Sequence, residues 1–240
     1  MRKIAFTIFL AISFVISIPL FVISTLQTSA GVIVLLFLLG SYAPALASWI
    51  VLRSSGTEDE KSSFREVLWK WVDCRWFLFA LLVPSFTWIL AYFGLRVAGE
   101  EVVPVWAALA GLPVILIVNF GEEIGWRGYA LPSLMKRFNP FVASLILGGI
   151  WGLFHVALNW QRPLFGILTF CTTLALSVIL AWLFVNTKSI LPGLLFHGMF
   201  NAWTQVFVSA ESVTLLVWAF VFLVIVAGYL LVRYGKELTV

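Results

Sequence analysis

Two adjacent acids close an apolar run: Gly121-Glu122-Glu123-Ile124-Gly125-Trp126-Arg127 follows Val114–Phe120, which itself contains Asn119. On a continuing helix, Glu123 and Arg127 are four apart and stack on one face as an ion pair. Glu122 points about 100° away and finds no partner within its own helix, which suits it to proton exchange as a general base. A salt bridge in a loop at the membrane edge is the plainer alternative. Farther along, His155 ends the stretch Gly148-Gly149-Ile150-Trp151-Gly152-Leu153-Phe154-His155, where glycines at 148 and 152 allow a second helix to come close. His197 and Asn201 are again four apart and share a helix face beside Gly193 and Gly198. Together they can offer a ring N–H and an amide N–H₂ to one oxygen atom; a helix–helix hydrogen bond is the alternative use. The chain has only 2 histidines, His155 and His197, and both fall in apolar segments. A carboxylate, an imidazole and a pair of donors suit the addition of water to a carbonyl. No Ser or Cys stands in a nucleophile-like context, and there is no glycine-rich phosphate loop.

The elements that must position these residues are membrane spans. Of the 240 residues, 62% are hydrophobic and 11% charged, against about 45–50% and about 25% in soluble domains. Such a chain cannot cover a globule with polar groups. Disorder, a disulfide-stapled secreted domain and a nucleic-acid module are excluded by the same figures. An ionisable group at membrane depth costs roughly 2.5–3.5 kcal/mol on insertion scales, so the few that occur there are the places to look for function. Eight apolar segments reach spanning length: Ile4–Leu26, Val32–Leu52, Trp76–Val97, Val103–Phe120, Phe141–Leu158, Leu164–Val185, Ile190–Val208 and Ser212–Val232. The expected fold is an all-α polytopic bundle of about eight transmembrane helices, one integral membrane domain over residues 1–240. The first segment follows Met1-Arg2-Lys3 and is longer than a signal-peptide core, so a retained helix is expected.

With Arg2 and Lys3 inside, only Arg96 and Arg162 of the 15 Lys and Arg fall on the outer side. The positive-inside rule then puts both termini in the cytoplasm. In the longest loop, Arg53–Arg75, Ser54–Ser63 reads as turn-like. Ser63 and Glu66 have capping-box spacing, and Phe64, Val67, Leu68, Trp71 and Val72 recur as the apolar face of a short interfacial helix. Glu122 and His155, 33 positions apart, can meet on antiparallel helices only if the chain turns near Phe138.

The three motifs resemble, in order, those of the CPBP family of intramembrane proteases, which includes the CaaX prenyl endopeptidases and bacterial abortive-infection-type proteins. Its Glu-Glu-x-x-x-Arg, Phe-x-x-x-His and His-x-x-x-Asn patterns match Glu122, Glu123 and Arg127, then His155, then His197 and Asn201, within a core of about residues 110–205. Trp151 stands where the second motif usually has Phe. The resemblance implies an intramembrane endopeptidase of a prokaryotic plasma membrane, acting on a peptide or a membrane-anchored protein, prenylated or not. Membrane lipids are its other partners, and no nucleic acid is expected. It further implies Glu122 as general base, His155 as its partner in activating water, His197 and Asn201 as oxyanion donors, and Glu123 and Arg127 as supports. Zinc held by Glu122, His155 and His197 in a His₂Glu set and a metal-free glutamate mechanism both stay open. A non-catalytic immunity or partner protein and a small proton-coupled transporter are the competing readings.

Overall fold

The computed structural model describes residues 2–97, 105–208 and 213–240, and all regular structure among them is helical. The order is α1 (Arg2–Ser24), α2 (Ala30–Ser41), α3 (Ala43–Ser55), α4 (Glu58–Trp69), α5 (Cys74–Val97) and α6 (Val105–Glu123). A π-helical stretch (Ile124–Ala130) follows, then α7 (Leu131–Met135), α8 (Pro140–Leu158), α9 (Pro163–Thr187), α10 (Leu191–Val208), α11 (Val213–Tyr234) and a closing 3₁₀ turn (Gly235–Glu237).

Six stretches are long and apolar enough to cross a membrane: Ile4–Ser24, Ala30–Ser55, Cys74–Gly94, Pro140–Leu158, Pro163–Thr187 and Leu216–Glu237. The α6 and α10 helices, which carry most of the polar groups singled out above, are not in that set among the described residues. The expected limits at Val103 and Ser212 lie outside the described residues. The bundle is therefore all-α and polytopic, and eight is an approximate count.

The second expected span, Val32–Leu52, is not one helix. It breaks at Tyr42 between α2 and α3. Pro44, in the first turn of α3, has no N–H to return to the Gly40 carbonyl. The Ser17 hydroxyl of α1 donates to that carbonyl instead, at 2.7 Å, so the break leaves no orphan acceptor there. The kink seats on α6. A Cβ on Gly121 would lie 2.8 Å from the Ser41 carbonyl oxygen, and one on Gly125 would overlap Pro44. Both positions must be glycine for the broken helix to approach.

The interfacial helix exists but starts earlier than the Ser63–Glu66 spacing suggests. Thr57 caps it: its hydroxyl accepts from the Glu60 N–H at 3.2 Å, and the Glu60 carboxylate accepts from the Thr57 N–H at 3.0 Å. That is the same capping-box spacing six residues upstream, directly after Gly56 ends α3. None of its residues is fully buried; Phe64, Val67 and Leu68 turn inward onto the core. Its end is tied to the start of α10 by Ile190 N–H to Val67 O, 3.0 Å, and Ser189 Oγ–H to Lys70 O, 2.6 Å.

The hairpin that carries the site turns where expected. Residues 136–139 join α7 to α8, and Asn139 caps α8 by accepting from the Val142 N–H at 3.0 Å, with Pro140 in the first turn. The α8 helix packs along α9, α10 lies against α6 and α5, and α1 covers α2, α3 and α8. On α8, a Cβ at Gly148 would lie 2.9 Å from Ser177 Cβ and one at Gly152 2.6 Å from the Phe170 ring, which explains the close α8–α9 approach read from the sequence. The core runs through α9, buried almost continuously over residues 175–185. The outer faces of α5 and α11 expose Leu82, Phe86, Ile225 and Tyr229, as lipid-facing surfaces do.

Candidate active site

The site is built where the end of α6, the following π-helical stretch, α8 and α10 converge. The π-helical stretch is fixed from outside by aromatic packing: Trp126 stands edge-on to Phe9 of α1 and Phe154 of α8, at 5.6 and 5.5 Å between ring centroids. This anchorage sets the direction in which the two preceding carboxylates and Arg127 emerge.

Glu123 and Arg127 pair as the spacing predicts. Arg127 Nη1 donates to Glu123 Oε1 at 2.9 Å, with the two side chains 1% and 0% exposed. The same oxygen accepts from His197 Nδ1 at 3.0 Å. With Nδ1–H donating to a carboxylate, His197 Nε2 is the acceptor, and Asn201 Nδ2 donates to it at 3.0 Å. Asn201 Nδ2 also reaches Asn119 Oδ1 at 3.2 Å. One chain of hydrogen bonds thus runs from Arg127 through Glu123, His197 and Asn201 to Asn119. The expectation that His197 and Asn201 aim their N–H groups together at one further oxygen is not what this geometry shows: the imidazole N–H is spent on Glu123, and the amide is shared between His197 and Asn119.

Glu122 has different company. Its carboxylate, 6% exposed, accepts from Trp151 Nε1–H at 2.8 Å and from Ser41 Oγ–H at 3.3 Å. Both donors are neutral. Trp151 is the hub of the cluster. Both imidazoles pack against it in T-shaped contacts, His155 at 5.3 Å and His197 at 4.9 Å between ring centroids, with ring planes 81° and 86° apart. Arg127 lies over its face, the guanidinium carbon 4.2 Å from the ring centre. His155 Nδ1–H donates to the Trp151 carbonyl oxygen one turn back, at 3.1 Å, so its Nε2 carries the lone pair and has no protein partner among the described residues. His155 is partly buried, as is Asn201, whereas Glu122, Glu123, Arg127, Trp151 and His197 are buried.

All six residues singled out in the sequence therefore come together, and three that were not weighed as functional join them. Ser41 arrives from the kink of a helix 81 positions away; its only sequence signal is the Pro44 that interrupts an apolar run. Asn119 lies one turn before the carboxylates. Trp151 was visible as an aromatic in place of Phe, but its N–H was not given a role.

The donor set does not fit a resident zinc ion. No group of three His, Cys, Asp or Glu among the described residues is placed to hold a metal. The reason is visible in the bonds: both nitrogens of His197 are already engaged inside the protein, its one lone pair accepting from Asn201. The expected His₂Glu arrangement of Glu122, His155 and His197 is not assembled.

Comparison with known proteins gives the same segment. The family model described as type II CAAX prenyl endopeptidase Rce1-like matches residues 104–203. The chain is also 26% identical to "CAAX prenyl protease 2" of Methanococcus maripaludis over 241 aligned positions, covering 88% of this chain and 86% of that protein. The matched segment holds every residue of the cluster except Ser41, so the chain is similar to the Rce1-like type II CAAX prenyl endopeptidases over the part that carries the site.

Proposed function

We propose that this protein is an intramembrane endopeptidase that hydrolyses a peptide bond in a membrane-associated, prenylated protein or peptide, with Glu122 as the general base. The observation that carries the reading is the convergence of Glu122, His155 and His197 on the single indole of Trp151. Both imidazoles meet the same indole, so neither is spent on an unrelated helix contact.

In this mechanism Glu122 takes a proton from a water molecule, and the water oxygen adds to the scissile carbonyl carbon. His155, with its Nε2 lone pair open, holds and orients that water. The carbonyl oxygen becomes an oxyanion, and Asn201 meets it by turning one amide hydrogen away from Asn119. His197 stays bonded to Glu123 and fixes the amide of Asn201 from the other side. As the tetrahedral intermediate collapses, the C–N bond breaks and Glu122 returns the proton to the leaving nitrogen. Glu123 and Arg127 hold the framework. We propose no metal in any step. The chain sits as one integral domain in a plasma membrane with both termini cytoplasmic.

The test is cleavage of an internally quenched, farnesylated CaaX peptide by the protein in proteoliposomes. Glu122→Gln lowers cleavage by at least about 10²-fold while leaving expression and thermal unfolding unchanged. Wild-type turnover by a folded Glu122→Gln protein removes the mechanism. Insensitivity of the wild-type enzyme to chelators is expected alongside, and reversible loss with zinc rescue would overturn the metal-free step.

A further inference from the structure

We propose that Trp151 is a positioning residue for the Glu122 carboxylate, acting through its indole N–H; this rests on the reading of Glu122 as the base. The local problem is the arrangement of two carboxylates beside one guanidinium. Glu122 and Glu123 are neighbours in sequence, both buried, and Arg127 is the single cation among the residues that bond to or stack on them in this cluster. A base that pairs with the guanidinium has its lone pairs tied up and its charge offset. Trp151 prevents this in two ways at once. Its face takes the guanidinium at 4.2 Å, holding Arg127 to the Glu123 side. Its edge donates to Glu122 Oε2 at 2.8 Å, fixing that carboxylate without neutralising it.

The second donor is weaker. Ser41 Oγ stands 3.3 Å from Oε1, near the limit for an O–H···O bond. Without the indole N–H, nothing of comparable strength among the described residues keeps the carboxylate from rotating. The indole itself cannot adapt: it is 1% exposed, with Arg127 on its face and two imidazoles packed nearly perpendicular to it. Pinning by a rigid plate is what a base needs if it is to meet its water at the same angle in every turnover.

The decisive experiment separates the N–H from the ring. Replacing Trp151 with benzothienylalanine keeps the bicyclic shape and substitutes sulfur for the N–H. In the full-length protein in proteoliposomes, with the farnesylated peptide as probe, this change lowers kcat by about 10- to 100-fold, the scale of a lost hydrogen bond to a charged group. KM stays within about twofold and the unfolding temperature is unchanged. Trp151→Phe lowers kcat at least as far, and serves alone if the isostere is poorly incorporated. Full kcat in the isostere overturns the proposal, as does a loss carried by KM or by a fall in unfolding temperature, which makes Trp151 a packing residue. Glu122→Gln is measured in parallel: if it is active, the base assignment has failed; if it is inactive while the isostere is wild-type, only the role of Trp151 has failed.

Discussion

Glu122 and Glu123 are adjacent in sequence, equally acidic and both buried, yet they sit in opposite environments. Glu123 faces a charge and an imidazole N–H: Arg127 and His197 both bond to one of its oxygens, and all three side chains are buried. Glu122 faces neutral donors from two other helices, next to the least enclosed histidine of the cluster. A carboxylate locked in an ion pair holds helices in register, whereas one held only by dipoles keeps its charge for chemistry. The difference arises from the helix that carries them, since a step of one residue turns the side chain by about 100°. Glu123 is thereby directed to α10 and its own Arg127, and Glu122 to α8 and the α2–α3 kink.

This contrast can be broken by substitution. The largest effect falls on turnover: Glu122→Gln costs about 10²- to 10⁴-fold in kcat, the range of a lost general base, with no change in thermal unfolding. Glu123→Ala acts the other way. It strands a buried Arg127 and lowers stability by about 3–5 kcal/mol, read by unfolding in mixed micelles. Replacing the pair together, as Glu123→Leu with Arg127→Met, costs less than Glu123→Ala alone, because no unpaired charge remains. If instead Glu123→Ala is stable and inactive, the roles of the two acids are exchanged.

The histidines should divide along the same line. His155→Ala lowers kcat by about 10²-fold and leaves the unfolding midpoint in place. His197→Ala removes a partner from Glu123 and Asn201 together and destabilises by about 1–3 kcal/mol, in addition to its effect on rate. Ser41→Ala, which deletes the longer of the two bonds to Glu122, lowers kcat only about threefold. Smallest in consequence for the site is Thr57→Ala. It removes the cap of α4, costs about 1 kcal/mol, and leaves kcat unchanged.

Most of the site was legible because polar residues stand out in an apolar chain. Glu122, Glu123, Arg127, His155, His197 and Asn201 were all visible by type and spacing, and the turn near Phe138 followed from the separation of Glu122 and His155. What spacing could not reveal was how bonds are shared. His197 and Asn201 do share a face, as i and i+4 must, but that face looks at Glu123 and Asn119, which belong to another helix. The kink at Tyr42 was missed because hydropathy averages over Pro44, and with it went Ser41. The start of α4 was misplaced because Thr57–Glu60 and Ser63–Glu66 present the same capping pattern, and only the end of α3 at Gly56 decides between them.

One feature of the hairpin bears on how its length can vary. Between Ile124 and Ala130 the chain winds wide, the Leu131 N–H reaching back five residues to Trp126 O, and such a winding stores an extra residue relative to an α-helix. A single-codon deletion there lets the backbone rewind as α-helix with its hydrogen bonds intact, and the tighter winding makes up most of the lost turn, so the segment beyond keeps its orientation and Trp151 stays with Glu122. Single-residue deletions after Arg127, at residues 128–130, and in the turn at 136–139 should therefore be absorbed, whereas one in the regular winding of α6 turns both carboxylates by about 100° and leaves a protein that accumulates in the membrane and cuts nothing.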